Sequence, residues 1–205
     1  MALVKPPETS GGGYLGFQNF VVTKVEDLFK KGEVDTTTPQ ICLQITLQAA
    51  GSDYDNNLRI WGDVKFAPDG SIDAGETAVL KKLYSFFEAI GFTGGINSRG
   101  QWESGEGEII EDIGTALQAY LYNTIKTPEP KDCTVRAYVY KKWNASKRKA
   151  YTTIYPRFAA VGNKKSIADL ESFIDFMIKK GFLDVSGEPA AAGSGEGYSG
   201  SDNWN

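Results

Sequence analysis

The sequence predicts an α+β fold that is mainly β-structure, and three observations lead to this prediction. Residues 41–48 and 58–66 alternate apolar and polar side chains, which is the pattern of strands with one buried face. Residues 77–90 instead repeat apolar side chains at helical spacing. Two further strand-like segments, 133–143 and 150–161, enclose a basic turn and predict a hairpin. The predicted order is three strands, a helix and two strands, where residues 20–25 supply the first strand.

Three other segments complete this prediction. Residues 94–107 are rich in glycine and predict little regular structure, whereas the apolar spacing of residues 110–125 predicts a second helix. Ser166 and Asp169 resemble a capping box, and they open an additional C-terminal helix. Its apolar stripe consists of Ile167, Leu170, Phe173, Ile174, Met177 and Ile178, and the helix is expected to end before Gly181.

Composition divides the chain into three parts. Residues 1–16, with Pro6, Pro7 and several glycines, predict a flexible N-terminal arm. Residues 17–181 form the predicted domain. Residues 182–205 are rich in Gly, Ser, Ala and acidic residues and contain no Lys or Arg, so they predict a disordered acidic tail.

Several classes of function are disfavoured by composition. The 205 residues include no His, so catalytic triads and imidazole metal ligands are excluded. No phosphate-binding glycine motif is found, and Cys42 and Cys133 are expected to be small buried fillers. No apolar run approaches the roughly 18 residues of a membrane span. We therefore expect a cytoplasmic protein that is not an enzyme and needs neither a cofactor nor a metal.

The charge of the chain is unevenly distributed. The formal net charge is −4, yet residues 131–165 contain ten basic residues and one acidic residue, a local net charge of +9. The remaining positions carry a net charge of −13. Such a contrast is typical of a polyanion-binding surface on an acidic body, although a Lys-rich turn can also be only a solvated hairpin tip.

Strand alternation identifies the side chains that face away from the core. In three strands, two of which flank the basic turn, aromatic rings alternate with cations on this outward face. Rings can stack on unpaired bases while cations bind phosphates, which is the chemistry of single-stranded nucleic acid binding. The candidate binding residues are Arg59, Trp61, Lys65, Arg136, Tyr138, Tyr140, Lys142, Trp143, Lys147, Arg148, Lys149, Tyr151, Tyr155 and Arg157. The alternative is that the rings simply pack beneath one of the helices.

A helix between the third and fourth of five strands is the connectivity of an oligonucleotide-binding barrel, the OB-fold. Over residues 17–161 the chain resembles phage-encoded single-stranded-DNA-binding proteins of this fold. The segments that carry the resemblance are residues 41–47, 58–66, 80–91 and 135–158. The resemblance implies protection of single-stranded DNA during replication, recombination or repair. It also implies an acidic tail that recruits partner enzymes or competes with DNA, here through Asp202 and Trp204, although the usual run of acids before a terminal Phe is missing.

Two other functions remain open from the sequence. The aromatic strand faces could form contacts between subunits of a phage structural or assembly protein with no affinity for nucleic acid, and homo-oligomers are compatible with either function. Five aspartates could instead bind Mg²⁺ in a nuclease, but they fall mainly in turns: Asp53, Asp55, Asp63, Asp69 and Asp73.

Overall fold

The computed structural model describes residues 15–30, 32, 40–49, 52–122 and 133–188. The strands are β1 (Gly16–Asp27), β2 (Gln40–Ala49), β3 (Asp55–Asp63), β4 (Gly95–Ile96), β5 (Trp102–Glu103), β6 (Thr134–Asn144), β7 (Lys149–Ile154) and β8 (Ala159–Ala160). The helices are α1 (Val79–Ile90), α2 (Ile113–Tyr122) and α3 (Lys164–Lys179). The α+β fold and the second helix are therefore confirmed.

The main sheet has the strand order β3-β2-β1-β6-β7, and β8 also pairs with β6. All of these pairings are antiparallel. Within the described residues no pairing joins β3 to β7, so the sheet does not close into the predicted barrel. A second difference from the prediction lies at Pro156, because proline has no N–H to donate to a ladder. The segment expected to be one long strand therefore bends there and divides into β7 and β8.

The main core lies between one face of this sheet, here called the inner face, and helices α1 and α2. The inner-face residues predicted for the fourth strand, Cys133, Val135, Ala137 and Val139, are all buried. Two other predictions of burial are wrong. Phe66 is 45% exposed because β3 ends before it, and Thr152 is exposed because the β6–β7 hairpin extends beyond the core.

One helix end agrees with the residue predicted to terminate or cap the helix, and another does not. Gly91 follows α1 in the left-handed conformation at φ 71°, which glycine adopts without steric cost, so the predicted end of this helix is confirmed. The predicted cap of α3 is wrong. Asn163, not Ser166, is its N-cap, and the Asn163 side chain accepts hydrogen bonds from the backbone N–H groups of Lys165 and Ser166.

The beginning of the predicted tail has a defined place in the structure. Leu183 is only 6% exposed and packs beneath α3, and Ser186 forms a parallel bridge with Lys141 of β6. The tail is predicted from its overall Gly-rich composition, which gives no weight to the apolar residues Phe182, Leu183 and Val185 at its beginning. The rest of the tail, including Asp202 and Trp204, and the first 14 residues of the N-terminal arm lie outside the described residues.

Candidate nucleic-acid interface

The candidate residues lie mainly on the outer face of the sheet, opposite the main core. Because side chains alternate along a strand, Arg136, Tyr138, Tyr140 and Lys142 share this face of β6. Cross-strand pairing of Lys142 with Tyr151 extends the face onto β7. Trp143 is the residue after Lys142, so its side chain points to the opposite, inner face. It is half-buried there, beyond the main core.

Helix α3 covers the first part of this outer face. Tyr138, Tyr140 and Tyr155 are partly buried against the helix, around a second small core formed by Ala159, Leu170, Ile174 and Leu183. The Tyr155 and Phe173 ring centroids are 6.0 Å apart, and Tyr138 packs edge-on against Phe17 of β1 at 4.9 Å. The alternative stated from the sequence, aromatic rings packed beneath a helix, therefore describes these three tyrosines.

The two arginines on this part of the surface are also engaged by α3. Arg136 donates from Nη2 to Oε1 of Glu171 at 3.0 Å and from Nε to the same oxygen at 3.3 Å. The guanidinium carbon of Arg157 lies 3.9 Å from the centroid of the Phe173 ring, a close cation–π contact. Both arginines could be identified from the sequence, whereas Glu171 could not, because its position in a helix does not indicate its partner.

A comparison of free energies indicates that a nucleic acid would not displace α3 from the sheet. Exposing Leu170, Ile174 and Leu183 would cost about 1.5–3 kcal/mol for each side chain. Three bases stacked on the uncovered tyrosines would return roughly 1–3 kcal/mol each. The two sums are of similar size, and the contacts of Arg136 and Arg157 would be lost as well. The covered residues are therefore assigned to the packing of α3 rather than to direct stacking on bases.

Beyond the end of α3, the β6–β7 hairpin presents an exposed group of cations around one ring, here called the basic hairpin: Lys142, Lys147, Arg148, Lys149 and Tyr151. Tyr151 is 39% exposed. The Nζ atoms of Lys147 and Lys149 lie 5.6 and 5.7 Å from its ring centroid, and Lys142 is its cross-strand neighbour. This arrangement places several positive charges beside one accessible aromatic face.

The turn of the basic hairpin holds Arg148 in an uncommon conformation. Four residues connect β6 to β7, and the Asn144 side chain accepts a hydrogen bond from the backbone N–H of Lys147. Arg148 has φ 48°, and it is the one non-glycine residue with positive φ in the described part of the chain. Glycine or asparagine is usual at such a position, so arginine is held there at a conformational cost.

The remaining candidates lie on or just after the edge strand β3. Arg59 and Trp61 are on its outer face, where Arg59 Nε donates to Gln44 Oε1 at 3.3 Å and Trp61 Nε1 donates to Gln40 Oε1 at 2.7 Å. Lys65 is exposed, with its Nζ 3.8 Å from a carboxylate oxygen of Asp63. Here the outer face of the sheet is not covered by α3, whose main neighbours among the strands are β6 and β8.

The acidic residues considered for Mg²⁺ binding are not brought together. Asp69 accepts hydrogen bonds from Ser71, and Asp73 accepts them from the backbone of Gly75 and Glu76. The described residues include no group of three or more His, Cys, Asp or Glu side chains that could hold a metal ion. None of the helices in the described ranges is long and apolar enough to cross a membrane.

Comparison with known proteins does not assign the chain to a family. No family model matches the sequence, and no curated protein matches it significantly.

Proposed function

We propose that this protein binds single-stranded DNA without sequence specificity, and that it acts by protecting the strand rather than by catalysis. The basic hairpin is the observation that carries this proposal. A strand of nucleic acid needs flat rings for its bases and cations for its phosphates, and the hairpin supplies both on one exposed surface. Two lysines within 6 Å of the Tyr151 ring place these two functions side by side.

The strand order supports an open form of the OB-fold. In that fold the ligand lies on the face of the second and third strands, beside the loop between the fourth and fifth strands. Here β3 carries Arg59 and Trp61 on its uncovered outer face, and the basic hairpin joins the two strands that follow in the main sheet. These are the candidates that α3 leaves accessible, so the proposed interface is narrower than the one predicted from the sequence.

The proposed binding residues are accordingly those on or just after β3 and those of the basic hairpin: Arg59, Trp61, Lys65, Lys142, Lys147, Arg148, Lys149 and Tyr151. Trp143 is left out because it points to the inner face. A role in replication, recombination or repair is part of the proposal, as is recruitment of partner proteins through Asp202 and Trp204.

A titration with oligothymidine at several salt concentrations tests the proposal. Each phosphate neutralised on a single strand contributes about −0.7 to the slope of log K against log salt. The double variant Lys147→Ala/Lys149→Ala should weaken binding and make this slope less negative by about 1.4. A matched control is Lys81→Ala/Lys164→Ala, which removes two exposed lysines from α1 and α3 and should leave the slope unchanged.

The result that would contradict the proposal is an absence of binding, or binding whose salt dependence is the same in both double variants. A large, stable homo-oligomer with no affinity for DNA would instead favour the structural or assembly protein that the sequence left open.

A further inference from the structure

Two large aromatic side chains are exposed next to each other at the C-terminal end of α3. Phe176 is 49% exposed and Phe182 is 59% exposed, and their ring centroids are 6.3 Å apart at an interplanar angle of 58°. Phe176 lies outside the apolar stripe of α3 that packs on the sheet, so burial against this domain does not explain it. Adjacent exposed aromatic side chains of this kind mark interaction surfaces.

The end of the helix holds this pair in place. Gly181 has φ 72°, and the backbone N–H groups of Phe182 and Leu183 both donate to the carbonyl oxygen of Met177. The chain therefore turns back immediately after α3, and the buried side chain of Leu183 fixes the turn beneath the helix. Because the turn is already ordered, a ligand that binds Phe182 would lose little affinity to ordering of the backbone.

The same segment connects the aromatic pair to the basic hairpin. Four residues after Phe182, Ser186 pairs with Lys141, the neighbour of Lys142 in β6. Four residues span at most about 14 Å. Helix α3 packs on the face of β6 that also carries Lys142. The aromatic pair and the basic hairpin are therefore neighbours along one face of the protein.

Charges around the pair are mixed. Lys179 and Lys180 are exposed beside it, whereas Asp175 and Asp184 are exposed on either side and offset part of the positive charge. The rings, rather than an electrostatic field, are thus the main binding feature. Flat exposed rings that continue from a cationic hairpin fit the bases of a single strand, which stack without regard to sequence.

We propose that Phe176 and Phe182 form a second stacking site for single-stranded nucleic acid, continuous with the basic hairpin. This inference rests on the proposed function. The distance along the chain and the spacing of about 5 Å between neighbouring strands together give a path of at most roughly 20 Å. At the rise of about 3.4 Å that each nucleotide has when its bases are stacked as in a duplex, that path corresponds to at most roughly six nucleotides. A strand longer than this reaches both sites, whereas a shorter one occupies the hairpin alone.

The experiment compares oligothymidines of 5 and 20 nucleotides on the full chain and on the variant Phe176→Ala/Phe182→Ala. Each ring lost from a stacked base should cost about 5- to 150-fold in affinity. We therefore expect the variant to lose at least about 25-fold for the 20-nucleotide strand and less than about twofold for the 5-nucleotide strand. Tyr54→Ala is the control, because this ring is 82% exposed at the turn before β3 and should not matter for either length.

A second variant makes the test independent of the alanine substitutions. Phe176→Trp/Phe182→Trp keeps flat rings and should retain the affinity of the full chain for the long strand, with additional quenching of tryptophan fluorescence on binding. If alanine and wild-type proteins bind the long strand equally, the second site is refuted while the hairpin proposal stands. If wild-type protein binds neither length, the proposed function and this inference both fail.

Discussion

Replacing Arg148 by glycine should stabilise the protein and weaken DNA binding in the same variant. Arg148 is held at φ 48°. A left-handed conformation costs an ordinary residue about 1–2 kcal/mol. Glycine avoids that cost but gives the unfolded chain more freedom, which offsets about 0.4–1 kcal/mol. The free energy of unfolding should therefore rise by about 0.5–1 kcal/mol in Arg148→Gly.

Binding should change in the opposite direction because the variant loses one cation from the basic hairpin. If Arg148 contacts one phosphate, the slope of log K against log salt should become less negative by about 0.7. Urea denaturation measures the first effect. With a slope of about 2 kcal/mol per molar urea, the denaturation midpoint should rise by roughly 0.3–0.5 M. Oligothymidine titration at several salt concentrations measures the second.

Two control variants separate conformation from charge. Arg148→Asn removes the charge and tolerates the left-handed conformation, so it should resemble Arg148→Gly in both assays. Arg148→Lys keeps the charge and the backbone cost, so it should resemble the unmodified protein. An Arg148→Gly variant that is less stable than the unmodified protein would contradict the conformational cost assigned to Arg148. An unchanged slope of log K against log salt would contradict a phosphate contact of Arg148.

Three further predictions concern packing, capping and pH. Tyr155→Ala should lower the free energy of unfolding by about 2 kcal/mol and leave the affinity of the folded protein for DNA unchanged. A loss of affinity without a loss of stability would instead indicate that Tyr155 contacts the DNA. Asn163→Ala should lower the free energy of unfolding by about 1 kcal/mol, because it removes the N-cap of α3. An unchanged midpoint of urea denaturation would argue against that cap. Burial raises the pKa of Asp27 above its usual 3.8. A raised carboxyl pKa means that the folded state favours the protonated form, so stability should fall as pH rises from 3.8 through the folded pKa. Asp27→Asn should be the more stable protein at pH 7, with an advantage that disappears below pH 3.8 in thermal melts; an advantage independent of pH would contradict this origin.

Local sequence patterns predicted the strands and their buried faces well, for a physical reason. Side-chain direction alternates along a strand whatever the rest of the chain does, so the inward set of Val135, Ala137 and Val139 could be identified without the structure. The end of α1 was equally local, since Gly91 accepts a conformation that other residues resist.

Features that depend on competition between neighbouring signals were not predicted. Asn163 and Ser166 are both good N-cap residues, and each begins a segment compatible with a helix. The helix starts after Asn163, where one side chain satisfies two backbone N–H groups. Similarly, alternation continues across Pro156, so the pattern predicted one strand where the chain bends and forms two.

The sequence also contains information that predicts which part of the outer face is covered by a helix. Aromatic rings interleaved with arginines have the same pattern whether a nucleic acid or a helix lies over them, because both supply anionic groups and flat or apolar partners. The number of apolar stripes distinguishes the two cases. Helices α1 and α2 fill the inner face, so the stripe of α3 has to be buried elsewhere, and the outer face of β6 is the surface next to it in the chain. Among the helices of the described residues, no fourth apolar stripe remains for the outer face of β3. The uncovered surface around Arg59 and Trp61, together with the hairpin beyond the end of α3, is therefore where a ligand can bind without displacing part of the core.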